Sequence, residues 1–230
     1  MKRWLISGLF FSSLAYANPA QVVIVRHAEK LSSGVEVSPQ GCERAFLLTQ
    51  FFSTNSVVNK YGSPVAFYAA RPKHADSSIR SEQTLAPSAS QSGLNILDPY
   101  VRDQYQPVVD EISSTHAYDG KTVVMAWEHD SIPVLAQTFG VKLNSSTKSW
   151  PDMVFDEAWV IDFTGKKNPS LTIIPESVLP GDNPLGGKDW QNGPTPGEGN
   201  PVPSNIVQEC GNNDALNVLT NALVTPPFPQ

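Results

Sequence analysis

Three polar clusters in this chain each follow directly on an apolar run: Arg26-His27-Ala28-Glu29-Lys30, the stretch from Arg71 to Arg80, and Glu128-His129-Asp130. Together they hold the groups that phosphoryl transfer through a histidine needs. A neutral imidazole nitrogen attacks phosphorus and forms a phosphohistidine. Guanidinium groups match phosphate oxygens in planar, bidentate fashion and hold the charge of the transition state. A second imidazole donates to a non-bridging oxygen. A carboxylic acid protonates the leaving oxygen and then takes a proton from water. His27 and His129, Arg26 and Arg80, and the carboxyl groups of Glu128 and Asp130 are the candidates for these roles. Arg71 and His74, in the loop before Arg80, are candidates for touching the rest of a substrate.

Other chemistries lack their residues. No His-Glu-x-x-His occurs and the four histidines are scattered without ligand spacing, so no metal site is expected. Cys42 has no arginine at the spacing a cysteine phosphatase would need, and its helical position suggests packing or a disulfide. There is no Gly-x-Ser-x-Gly elbow and no phosphate-cradling glycine loop. No cofactor is expected. His116 reads as a surface residue, Glu29 as an ion-pair partner fixing Arg26, and Lys30 as a surface charge. Tyr68, Trp127 and Trp150 suit either a pocket wall or the core.

The elements that position these clusters follow from periodicity. Val22–Val25, Pro64–Ala70 and Thr122–Trp127 read as buried strands. Ser38-Pro39 reads as an N-cap with proline at the first helical position, opening a helix to about Phe52 that buries Ala45, Leu48 and Phe52. A short helix is expected from Ser78 to Leu85, ended near Pro87. Residues 91–105 read as an irregular connection. Pro107 opens a helix with Val108, Val109 and Ile112 inward, and another runs from Ser131 to Phe139 with Gly140 as its stop. Ala158–Phe163 and Leu171–Ile174 make a hairpin. Strand–helix repeats followed by a strand pair predict a three-layer α/β/α fold with a mostly parallel central sheet. In such a sheet the three polar clusters share one edge, the usual place for a ligand.

The same residues carry a resemblance. Val25-Arg26-His27-Ala28-Glu29-Lys30 resembles the Arg-His-Gly/Ala-Glu signature of the histidine phosphatase (phosphoglycerate mutase-like) superfamily. Ser38-Pro39-Gln40-Gly41-x-x-Arg44-Ala45 and Ser78-Ile79-Arg80-Ser81-Glu82-Gln83-Thr84-Leu85-Ala86 are similar to the two elements that follow it there. Val123–His129 resembles its late strand ending in Gly-His or Glu-His. The likeness spans residues 20–178, in the manner of branch 1. It implies a phosphoglycerate mutase-like fold, His27 as nucleophile, and Arg26, Arg80 and His129 as ligands of the phosphoryl oxygens. The general acid has no direct match. Glu128 stands where glycine is common, and residues 88–105 offer only Asp98 and Asp103. Glu128 and Asp130 rank ahead of Asp103. The implied activity is hydrolysis of small phosphomonoesters. A mutase-type transfer on the same fold and a non-catalytic anion-binding module are the alternatives.

Length and composition fit one folded domain, with 40% hydrophobic and 17% charged residues among 230. Residues 1–17 read as a signal peptide: Lys2 and Arg3 precede an apolar run, and Ala15-Tyr16-Ala17 is a cleavage triplet. Residues 18–179 form the α/β domain. Residues 180–230 form a Pro/Gly-rich extension, with a short helix expected near Ala215–Leu223. The expected location is periplasmic or secreted, where Cys42 and Cys210 are free to pair or to stay separate thiols. Cleavage takes the formal charge from -6 to -8, so nucleic acid and anionic membranes are not expected partners.

Overall fold

The structure, a computed structural model, describes residues 18–165, 167–182 and 202–211. The expected signal peptide and the expected helix near Ala215–Leu223 lie outside the described residues. Six strands form one sheet: β1 (Gln21–Arg26), β2 (Ala66–Ala69), β3 (Ile96–Leu97), β4 (Thr122–Trp127), β5 (Glu157–Asp162) and β6 (Ser170–Pro175). Their order across the sheet is β3-β2-β4-β1-β5-β6. The first four in that order run parallel, with Arg26 beside Trp127 and Ala69 beside Ala126, and β5 and β6 close the other side as an antiparallel hairpin.

The central strands β1 and β4 are buried along their whole length. Alternation sends their side chains into two separate cores. Val22, Ile24, Val123 and Met125 face α3 (Tyr105–Ser114) and α4 (Ile132–Thr138), through Val108, Ile112, Ile132 and Leu135. Val23, Val25, Val124 and Ala126 face α1 (Pro39–Thr54) and α2 (Arg80–Gln91), through Leu48, Phe52, Leu85 and Ala89. The result is the expected three-layer α/β/α architecture. No helix among the described residues is long and apolar enough to cross a membrane.

The start of α1 is set by sequence chemistry. Ser38 caps it by accepting from the Gly41 amide at 3.1 Å, and Pro39 opens it. Gly41 lets this first turn lie against the backbone of Glu29, where a Cβ would collide with the Glu29 carbonyl and amide. The helix is thereby locked to the segment leaving β1.

Two elements differ from expectation. Helix α2 continues through Pro87 to Gln91 instead of ending there. Leu85, Ala86, Pro87 and Ala89 are all buried, and that burial outweighs the proline's missing hydrogen bond. The connection 91–105 contains β3, an edge strand of two residues, too short to leave a periodic signal. In the extension, α5 (Ser204–Gly211) is bonded to α1 by a disulfide between Cys42 and Cys210. The pair packs with Val37, Ala86 and Ala28, the residue that follows the nucleophile candidate.

Glu29 does not fix Arg26. It binds Arg44, whose guanidinium is also held by Glu176 and Asp182. Arg44 lies buried on α1 and the acids come from the segments after β1 and β6, so this network ties three parts of the chain together. Tyr68, Trp127 and Trp150 are core residues.

Candidate active site

Strand β1 delivers His27 to the carboxyl edge of the sheet. Its amide donates to the Trp127 carbonyl at 2.9 Å, and the next amide, Ala28, donates to Oγ1 of Thr84 on α2 at 2.8 Å. The His27 ring is 5% exposed. Its Nδ1 lies 2.8 Å from the Ala28 carbonyl oxygen. A carbonyl only accepts, so the proton sits on Nδ1 and Nε2 keeps its lone pair. Burial pushes the His27 pKa down to about 4, opposed by the bond to Ala28 and aided by the positive charges of Arg26, Arg80 and His129. At neutral pH this ring is an uncharged base with one nitrogen bare.

Arg26 is 2% exposed. Its Nη1 donates to the carbonyls of Asp152 (2.6 Å) and Val154 (2.9 Å), and its guanidinium carbon stacks 3.7 Å from the centre of the Phe155 ring. Its Nε is buried without a partner. Burial lowers its pKa to about 10, with Asp152, Glu29 and Asp130 pulling the other way. Arg80 opens α2 and donates to the Glu36 carbonyl (3.0 Å), the Gly34 carbonyl and Ser78 Oγ (3.2 Å). Both arginines are thus hydrogen-bonded by neutral oxygens. Among the described residues no carboxylate is hydrogen-bonded to either guanidinium, and Arg26 keeps one buried N–H, at Nε, without a partner.

Strand β4 delivers the third cluster. His129 Nε2 donates to Asp152 Oδ1 at 3.0 Å. Glu128 has a buried Oε2 with no hydrogen-bond partner. Burial raises its pKa, countered by a backbone hydrogen bond and the charges of Arg102 and Arg80, and helped by Asp130. Asp130 is exposed, accepts from Ser131 Oγ at 3.2 Å and lies 3.8 Å from Arg102. Asp103 is exposed and bound to Lys73 at 2.6 Å, which lowers its pKa.

Electrostatic interactions thus link His27 to Arg26, Arg80 and His129, Glu128 to Arg80 and Asp130, and Asp130 to Arg26. Arg71 and His74 sit in an exposed loop, held by main-chain bonds to Tyr100 and Ser77, and among the described residues no hydrogen bond ties their side chains to the cluster. His116 is a surface residue paired with Asp119. Sequence reasoning did not single out Arg102, which follows no apolar run, or, beyond Trp150, the residues of the segment 150–155. That segment is anchored by Trp150, stacked on Trp159 and donating to the Val154 carbonyl. It acts on Arg26 mainly through carbonyls, which every residue has.

No family model and no curated protein matches the chain. Among solved structures it is similar to a mycobacterial glucosyl-3-phosphoglycerate phosphatase in complex with inorganic phosphate, at 13% identity and a TM-score of 0.43, over 67% of this chain and 95% of that one. It is also similar to mycobacterial hydrolase 2, at 11% identity and a TM-score of 0.45, over 84% and 96% of the two chains. Mycobacterial hydrolase 1 is similar at 12% identity and a TM-score of 0.38, over 67% and 96%.

Proposed function

We propose that this protein hydrolyses small phosphomonoesters through a phosphohistidine on His27, outside the cytoplasm. The observation that carries this reading is the state of His27: buried, uncharged, its Nδ1 proton committed to Ala28, and its ring in the field of two arginines to which, among the described residues, no carboxylate is hydrogen-bonded. In the first step the Nε2 lone pair bonds to phosphorus. The ester P–O bond breaks, its electron pair stays on the leaving oxygen, and Glu128 supplies that oxygen with a proton. In the second step Glu128 takes a proton from water, the water oxygen bonds to phosphorus, and the P–N pair returns to Nε2. Arg26, Arg80 and His129 hold the phosphoryl oxygens throughout.

Glu128 serves as the acid because it is partly buried, its pKa is raised by that burial, and its buried Oε2 has no hydrogen-bond partner. Asp130 is solvated beside Arg102, and Asp103 is ionised against Lys73. Export rests on the sequence of residues 1–17 and is supported by the disulfide, which persists in oxidising compartments. Sequencing of the mature protein is expected to start near Asn18.

The test is a phosphomonoester panel with the parent and His27→Ala. The variant is expected to stay folded and to fall below about a thousandth of parental turnover. Quenching the parent without acid on a labelled ester should leave label on His27. Parental turnover of p-nitrophenyl phosphate by His27→Ala would refute the mechanism.

A further inference from the structure

Asp152 reaches two of the anion-binding groups at once. Its carbonyl oxygen accepts from Arg26 Nη1 at 2.6 Å, and its carboxylate accepts from His129 Nε2 at 3.0 Å. The main chain that does this is held by Trp150, stacked on Trp159, and by the Val154 carbonyl, which accepts from both Trp150 and Arg26. The carboxylate itself is 87% exposed, so it adds nothing to the core and its contact with His129 is not a packing requirement.

The hydrogen bond has a chemical consequence. An ionised carboxylate has no proton to give, so His129 Nε2 carries one. Nδ1 is then the nitrogen left for a phosphoryl oxygen, and it donates only while the ring holds both protons. A carboxylate on one side of the ring and a phosphoryl dianion on the other stabilise that cation between them. The interaction is strongest when negative charge on the phosphoryl oxygens is greatest, in the transition state.

We propose that Asp152 is a positioning residue of the site. Its main chain clamps Arg26, and its side chain sets His129 to donate to a phosphoryl oxygen as phosphorus changes partners. This rests on the phosphatase reading of the same site.

The test compares the parent with Asp152→Asn, which keeps an acceptor and loses the charge, and with Asp152→Glu, which keeps the charge. Turnover of p-nitrophenyl phosphate is measured beside the calorimetric affinity for orthovanadate, a trigonal-bipyramidal mimic, and for inorganic phosphate. Asp152→Asn should melt like the parent, lose about tenfold in kcat with KM within about twofold, and bind orthovanadate about tenfold more weakly while phosphate affinity barely moves. Asp152→Glu should recover most of both losses. Parental kcat and orthovanadate affinity in Asp152→Asn would overturn the proposal. So would an equal loss for both anions with a lowered melting temperature, which marks a structural role. A parent that neither turns over nor binds either anion would sink the phosphatase reading and this inference with it, whereas an active parent beside an unaffected variant sinks this inference alone.

Discussion

Two arginine clusters, built on the buried Arg44 and the buried Arg26, lie on either side of the turn that leaves β1, and they use opposite partners. Arg44 spends its guanidinium on carboxylates: Glu29 at 2.7 Å, Glu176 at 2.9 Å and Asp182 at 2.7 Å. Arg26 and Arg80 spend theirs on carbonyls, a hydroxyl and an aromatic face. Both solutions give the guanidinium hydrogen-bond acceptors, although Arg26 Nε stays without one. Only the first cancels the charge. A neutralised cluster fastens the segments after β1 and β6 to α1. An unneutralised one leaves positive potential at the edge of an otherwise acidic protein, open to an anion. Geometry alone would count both as well-bonded arginines; the partner's charge separates a fastening from a candidate site.

The contrast can be broken by exchanging which arginine is lost. Arg44→Ala leaves three acids around one space without their cation. It should cost about 3–5 kcal/mol of stability, a drop of roughly 10 °C in Tm for a chain of this size. Turnover per folded molecule, measured well below that Tm, should stay within a few-fold of the parent. Arg80→Ala should do the reverse, lowering kcat/KM about 10²–10³-fold with a Tm shift of only a few degrees. Calorimetry and steady-state kinetics on the pair decide the matter, since matched losses on both axes would mean that the two clusters do not divide the work.

Glu128 sharpens the contrast next, because it is the acid of the proposed site that, among the described residues, no cation touches directly. The kcat/KM profile is expected to rise through His27's value of about 4, where the ring loses its second proton, and to fall at higher pH as Glu128 loses its proton. Glu128→Gln should lose about 10²-fold on an alkyl phosphate and less than about tenfold on p-nitrophenyl phosphate, whose leaving group needs little protonation. Asp130→Asn should leave both substrates near parental rates. The opposite ranking of these two variants would transfer the role to Asp130.

What could be read in advance follows the same division. The tips of β1 and β4 were legible because a buried strand that turns polar must place those residues at the sheet edge. Ser38-Pro39 announced α1, and the alternating apolar residues announced the layers. The choice of partners was not legible. Glu29 lies three residues from Arg26 but binds Arg44, because Gly41 brings α1 against Glu29. The oxygens that hold Arg26 belong to a segment more than 120 positions away and are carbonyls, which no residue type marks. Asp152 bonds His129 through its side chain, yet it stands alone in a loop without periodicity. Pro87 looked like a stop because its cost is local, while the burial that overrides it is tertiary.

A third arrangement completes the comparison: an acid pair with no cation at all. Glu82, 8% exposed on the first turn of α2, is hydrogen-bonded to Asp98 just past β3. Two carboxylates cannot share that bond without a proton, and burial, with Asp98 beside it, pushes Glu82 up to about 8. The folded state therefore keeps a proton that the unfolded chain releases near 4.5. Stability from this pair is full below that value and falls as pH rises toward about 8, by at most about 1.4 kcal/mol per pH unit. Glu82→Gln offers Asp98 an N–H in place of the O–H and has no proton to lose. Its Tm should match the parent at pH 5 and exceed it by about 3 °C or more at pH 8. If the parent's advantage or deficit stays constant across that range, Glu82 is ionised in the fold. A buried acid would then need neither a cation nor a proton here, and the argument that keeps Glu128 protonated would lose its nearest parallel in the same molecule.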